Sequence, residues 1–518
     1  MSTPRRSRTV VAWSWLATSG LAISIASGCV VDAGGTAVDD GPPPPLLDEA
    51  SLRDRGAIRF ERRVSGPSPY PPDCIAGQTG TNYRNAEVQP TFAIDLVHGT
   101  LVGAWQQDRW SNGFASGTLT VVSSDLGHRW TPVVIPFSRC AGGTPSNGGD
   151  WDRATQAWLA RARNGDLFQT AMGLDMTTGE SGLMVTRSTD GGATWDPITT
   201  LIRGDFAPAF SDDKAAVTTD PDDARFAYVV WNRFDRTMAT PERPDDYRSP
   251  TWFSRTTDGG ATWEAARPIF DPGLNHQTTF NRIAVLADGT LVLGFSEYDD
   301  TERPLSRSRP GVVRSHDRGL TWSAPIYLGP LIDVPELDVR DPDSGHLIRT
   351  APGFFIAAHP RKPIVYATRL NHVDGTELET PTVAVSMDGG LTWSPEIRVG
   401  ATPDGVTSWS SALAVTATGK VGLLYFDLRN NTPDPAALPV DAFLATCRRH
   451  CDDAGHWSEQ HVSGPFDLAV APDARGFMLG DHMGLDSVGD LFVPLVTKTS
   501  AGDLDDRTDV FLVVDPAL

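Results

Sequence analysis

Five copies of one eight-residue pattern, Ser/Thr-x-Asp-x-Gly-x-x-Trp, run along the 518-residue chain and tie it to a repeat architecture. They read SSDLGHRW (Ser123 to Trp130), STDGGATW (Ser188 to Trp195), TTDGGATW (Thr256 to Trp263), SHDRGLTW (Ser315 to Trp322) and SMDGGLTW (Ser386 to Trp393). Their aspartates, Asp125, Asp190, Asp258, Asp317 and Asp388, are 65, 68, 59 and 71 residues apart, and a worn copy, CDDAGHW, ends at Trp457. In such a turn Asp accepts hydrogen bonds from the backbone, Gly supplies φ > 0, and Trp fills the gap between neighbouring units. Between the turns lie short β runs such as LVGAW, YVVWN, LVLGF and VGLLYF, bounded by Gly, Asp and Pro. The expected fold is therefore all-β, a β-propeller of repeated four-stranded antiparallel blades.

Seven second strands are legible, starting at Leu101, Leu167, Phe226, Leu291, Ile364, Val421 and Leu491. The seventh unit ends after its third strand, DVFLVV. IRFERRVSGP (Ile58 to Pro67) resembles the outer-strand segment WSEQHVSGP (Trp457 to Pro465), so an N-terminal strand is expected to complete the last blade and remove an open edge. Seven blades closed this way is the expectation.

The repeat resembles the Asp-box, or BNR repeat, of the sialidase superfamily, over roughly residues 85 to 514. That resemblance implies a propeller and offers a six-bladed alternative, with the last unit as an appendage. The boxes themselves are remote from the active site in that superfamily.

The N-terminus reads as an export signal over 1–28: Arg5, Arg6 and Arg8, an apolar stretch from Val10 to Ala26, then Ala26-Ser27-Gly28-Cys29. The last four residues resemble a lipobox with Cys29 as the lipidated residue, and an ordinary cleavage site is the alternative. Residues 29–55 form a Gly-, Pro- and Asp-rich tether, and 56–518 the propeller domain. An exported protein follows, an outer-membrane lipoprotein or extracellular, touching membrane only through its anchor. Cys74 with Cys140 and Cys447 with Cys451 are the expected disulfides; a metal site at the second pair with His450 or His456 lacks further ligands. Asp341-Pro-Asp343-Ser-Gly345 opens like a calcium loop, but its twelfth position is Pro352. No metal or cofactor is expected. A net charge of −21 argues against nucleic acid as a partner. A monomer that engages a glycan or glycoconjugate is expected.

Short turns such as Asn164-Gly165 and Asp288-Gly289 share a face with the repeat turns, whereas the long connections gather on the opposite face. Binding residues are expected there, at the axis. Starts of inner strands supply Asp152, Arg153, Asp213, Arg282, Arg349 and Asp481, and ends of second strands supply Arg109, Glu297, Tyr298 and Arg429. Converging arginines make a carboxylate pocket, because guanidinium matches carboxylate with two parallel hydrogen bonds. The resemblance implies an acid/base at Asp213 or Asp152, a Tyr nucleophile at Tyr298 assisted by Glu297, and an arginine clamp of Arg153, Arg282 and Arg349. Arg109, Arg429 and Asp481 complete the candidate substrate-binding set. Two family features depart. NAEVQPTFAID stands where an Arg-Ile-Pro motif is expected, and Tyr425 aligns with the core positions Trp105, Trp231 and Phe295. Asp108-Arg109 and Asp427-x-Arg429 also fit plain ion pairs. The implied activity is a sialidase-like glycoside hydrolysis of an anionic glycan; the alternative is a propeller that binds glycan or an envelope protein without catalysis.

Overall fold

The computed structural model describes residues 60–515 apart from 205–209, 304–305, 335–338, 342, 351–352 and 373–378. The signal segment, Cys29 and the tether lie outside the described residues. The fold is all-β. Each unit begins with a leading strand, and these are Asn82–Asp95, Arg153–Arg161, Phe210–Thr219, His276–Val285, Phe355–Ala358, Ser408–Val415 and Gly484–Val488. A second and a third strand follow antiparallel in each, as in Phe210–Thr219, Ala227–Asp235 and Thr251–Thr256, which Arg267–Phe270 then completes. Consecutive leading strands touch one another, and Gly484–Val488 also touches Asn82–Asp95. The last unit takes its outer strand from the other end of the chain: Phe60–Arg63 pairs with Phe511–Val514.

Apolar side chains pack between neighbouring sheets. Phe168, Met172 and Val185 of one sheet meet Val217, Val229 and Trp231 of the next, all buried. Tyr228, Val230 and Phe253 then meet Ile283, Leu293 and Phe295. Each such side chain stabilises the fold by about 1.5–3 kcal/mol through burial.

The repeat turns join these layers. In Ser315 to Trp322, Asp317 Oδ1 accepts from Ser315 Oγ at 2.8 Å and from the Thr321 N–H at 2.8 Å, closing the turn on itself. Gly319 has φ 89°, and a Cβ there would fall 2.4 Å from the Phe253 ring of the preceding unit. The turn's Trp322 is half-buried and meets that same ring edge-on at 5.6 Å. The turn tryptophans are thus packing residues.

Two disulfides hold the edges: Cys74–Cys140, with Cα atoms 5.2 Å apart, and Cys447–Cys451, 5.8 Å apart. They fit an oxidising compartment.

One irregularity recurs in the leading strands. The register slips between Val88 and Thr91, Thr155 and Trp158, Asp213 and Ala216, and Thr279 and Arg282. Each slip holds a non-glycine residue in the left-handed region: Gln89 (φ 62°), Gln156 (55°), Lys214 (56°) and Phe280 (52°). Such a backbone costs an L-residue about 1–2 kcal/mol, so surrounding structure must enforce it.

Candidate functional site

Leu101 pairs with Ser123 beside a repeat turn, whereas Arg109 pairs with Ala115 at the far end of the same two strands. A cavity of about 260 Å³ opens at that far end, lined by Gln89, Gln106, Arg109, Gln156, Asp213, Lys214, Arg349, Arg475 and Asp481. Three of the four left-handed residues, Gln89, Gln156 and Lys214, line it. The bulges therefore turn long polar side chains toward the cavity, where regular alternation would place them differently.

Asp481 is the anchor. It is buried, Lys214 Nζ donates to its Oδ2, and Arg349 Nε lies 3.5 Å from its Oδ1. Burial alone would raise its pKa, but Lys214, Arg349 and Arg109 reverse that and hold the carboxyl well below the usual range. Arg109 Nη1 donates to Gln106 Oε1 at 2.6 Å, and its buried Nε has no partner. Burial, then the nearby Arg349, push Arg109 down to about 9, which leaves it charged at neutral pH. Gln106 in turn donates to Gln89 Oε1, and Gln89 Nε2 reaches Gln156 Oε1 at 3.3 Å and His482 Nδ1 at 3.2 Å. Arg475 is exposed at the rim, where its charge reaches Arg109.

Two carboxylates sit at the side of the cavity. Asp212 is buried against Arg233, Trp231 and Ser181. The Asp213 side chain is 43% exposed, with Oδ1 accepting from the Lys214 N–H at 2.8 Å. Five cationic side chains, Arg109, Lys214, Arg236, Arg349 and Arg475, thus line the cavity against Asp212, Asp213 and Asp481, giving a positive excess inside an acidic chain. That arrangement can hold an anionic group through charge-assisted hydrogen bonds, and Asp213 is the carboxylate placed to exchange a proton with a ligand.

A second cavity, about 310 Å³, is lined by residues of every leading strand, among them Thr91, Trp158, Thr218, Ile283, Ile356, Leu413 and Leu485. Arg282 lines this one. Its guanidinium stacks 4.0 Å over Trp158, Nη1 donates to Lys214 O at 3.2 Å, and Nε has no partner. His482 meets the same Trp158 edge-on at 4.6 Å. Burial, then Arg282, push His482 down to about 3 and keep it neutral.

Of the sequence candidates, Arg109, Asp213, Arg349 and Asp481 meet in one cavity, and Arg282 lies against Lys214 outside it. The others need correction. Arg153 is buried with its donors spent on Gln78 Oε1, Asn112 Oδ1, Gly113 O and Thr79 O at 2.7–2.8 Å, and it stacks on Trp110. It pins two loops and spends four of its five N–H donors on them. Asp152 is held by Arg139 and accepts from the Met176 N–H at 2.7 Å. Glu297 is buried between His276, 3.0 Å away, and Arg309, 3.2 Å away. Tyr298 is buried and lines neither cavity. Arg429 pairs with Asp427 and Glu459, and Tyr425 bonds Glu459 in the same network, as plain structural pairing would have it. Asp108 and Arg109 part company: Asp108 accepts from Ser68 Oγ and the Asn85 N–H, leaving Arg109 to the cavity.

Gln89, Gln106, Gln156 and Arg475 escaped the sequence reading. The one available signal was a long polar residue breaking alternation near the start of an inner strand.

No family model matches the chain. A curated sialidase of Bacteroides fragilis (strain YCH46) is 26% identical over 213 residues, 36% of this chain and 35% of that protein. The chain thus spans about a third of the length of that relative. Among solved structures, the α-L-arabinofuranosidase Arb93A of Fusarium graminearum with an iminosugar inhibitor aligns over 89% of this chain and 98% of its own, at TM-score 0.45 and 13% identity. The Trypanosoma rangeli sialidase with 2,3-difluorosialic acid aligns over 69% of this chain and 53% of its own, at TM-score 0.38 and 15% identity.

Proposed function

We propose that the chain is an exported, glycosidase-like propeller that engages an acidic sugar at the Asp481 cavity. The observation that carries this is the cation excess there: Arg109, Lys214, Arg349 and Arg475 face the buried Asp481 and the half-exposed Asp213. In this reading Arg349 and Arg109 clamp the ligand's carboxylate, Lys214 and Asp481 hold the clamp in shape, and Asp213 is the acid/base. The likeness to a protein named sialidase supports hydrolysis as the activity. The fold we infer is a ring of seven blades, supported by the contacts that run from each leading strand to the next and by the pairing of Phe60–Arg63 with the last strand. A lipid anchor at Cys29 and an extracellular or outer-membrane site belong to the same proposal.

A second reading, glycan binding without turnover, has its own support. Among the described residues no tyrosine lines the cavity, and Glu297 is committed to His276 and Arg309. Hydrolysis of a fluorogenic sialoside by the purified protein separates the two, beside Arg349→Ala, Arg109→Ala and Asp213→Asn. Turnover lost in all three, with folding intact, is the expected result. No turnover, but retention of acidic glycans on an array that Arg349→Ala abolishes, selects the binding reading. Turnover or binding untouched by the arginine changes would sink both.

A further inference from the structure

Where the two ends of the chain meet, a second polar cluster stands apart from the cavity. Glu87 lies on the leading strand Asn82–Asp95, Asp509 on the last strand Thr508–Val514, and Asp506 in the loop before it. One carboxylate oxygen from each lies within 4.8 Å of the others. Glu87 is 0% exposed, with Oε1 accepting from Gln107 Nε2 at 2.6 Å and Oε2 buried without any partner. Asp506 repeats the pattern: Oδ2 takes Arg63 Nη2 at 2.7 Å, and Oδ1 is buried and unpartnered. Asp509 is satisfied by Ser65 Oγ at 2.7 Å, by Arg63 Nε and by Ser500 Oγ.

The charges do not balance. Three carboxylates face the single guanidinium of Arg63, so two negative charges are left in a place largely closed to water. Burying them uncompensated is costly. One proton shared by the two orphan oxygens would satisfy both and still leave one negative charge. A divalent cation satisfies both and leaves none. Hard carboxylate oxygens, with the Asp506 side partly open for water ligands, suit calcium better than magnesium, which demands a regular octahedron.

We propose that Glu87, Asp506 and Asp509 bind a calcium ion that fastens the first unit to the last. The ion would tie the leading strand Asn82–Asp95 to the last strand beside the Phe60–Arg63 pairing, so its effect falls on the stability of the ring and not on sugar recognition.

The test is thermal unfolding of the full chain after EDTA treatment, with and without millimolar calcium chloride, together with calorimetric titration of calcium. The expected result is one calcium per chain and a rise of roughly 2–4 °C at a hundredfold excess over Kd, reversed by EDTA. Glu87→Gln should lose the calcium-dependent rise, and Asp506→Asn serves the same purpose if the first variant fails to fold. An unfolding temperature indifferent to calcium and EDTA in the unmutated protein would overturn the proposal, leaving the shared proton. So would a variant that keeps the full calcium response.

Discussion

The repeat turns and the Asp481 cavity put the same left-handed backbone conformation to different uses. In the turns most left-handed residues are glycines, Gly192, Gly260, Gly319 and Gly390 among them, with Leu126 and Arg318 as exceptions, and each box aspartate is satisfied within its own turn. At the cavity the left-handed residues include Gln89, Gln156 and Lys214, with Phe114 and Arg475 beside them, and buried groups such as Arg109 Nε go unpartnered. A turn built for stability gives most of its left-handed positions to the residue that suffers no strain. The cavity keeps its strain and its unspent donors, the pattern expected where a ligand completes the site.

The contrast can be broken by substitution. Gly319→Ala meets both an unsuitable φ and the Phe253 ring 2.4 Å from the new Cβ, so a loss of about 2–4 kcal/mol is expected in denaturant unfolding. A loss below 0.5 kcal/mol, a figure ordinary for a surface position, would show the turns to be less constrained than their geometry implies.

Next in size is a pH effect at His482, beside Gln89 and Trp158. His482 is neutral in the fold, with a pKa near 3, whereas an unfolded histidine titrates near 6.5. The unfolded chain then binds the extra proton between those values, so stability is full above about pH 6.5 and falls as pH drops toward 3. His482→Gln should flatten that part of a stability-against-pH curve, and an unchanged slope would locate the titration elsewhere.

Gln156→Gly should move the other way. Relieving φ 55° at a strained residue is expected to raise stability by up to about 1 kcal/mol while weakening retention of acidic sugar. A gain in both stability and binding would remove the case for functional strain at this position.

The smallest effect belongs to a turn aspartate. Hydrogen bonds from Thr262 hold Asp258 at about 2, so its contribution is present above about pH 4 and lost as pH falls through 2. The group is exposed, and solvent screening keeps its share below about 1 kcal/mol. The stability difference between the unmutated protein and Asp258→Asn should close on acidification.

How much was legible follows from where each signal resides. The turn pattern is local: Ser315, Asp317, Gly319 and Trp322 meet within eight residues, so sequence alone reveals the repeat and its tryptophan packing. The disulfide pairs follow from a small even set of cysteines. The cavity resisted because a bulge adds one residue and reverses which face follows. Arg153 precedes the slip at Gln156, whereas Arg282 follows the slip at Phe280, so two arginines near the starts of corresponding strands point into unrelated surroundings. No pattern of alternation separates them. Glu297 was misread for a related reason, since its partners His276 and Arg309 come from other strands.

The pairing of Phe60–Arg63 with Phe511–Val514 has a consequence for biosynthesis. Residues made early must wait, unpaired, until some 450 more have been added, because the strand that receives them lies that far along the chain. Sheets from the middle of the chain can assemble as they emerge, but this one cannot close before Val514 has been made. Such long-range pairing is slow and leaves an edge open to wrong partners in the interval. A nascent chain stalled before Thr508 should therefore remain protease-sensitive at its first strand, however well its central sheets have formed.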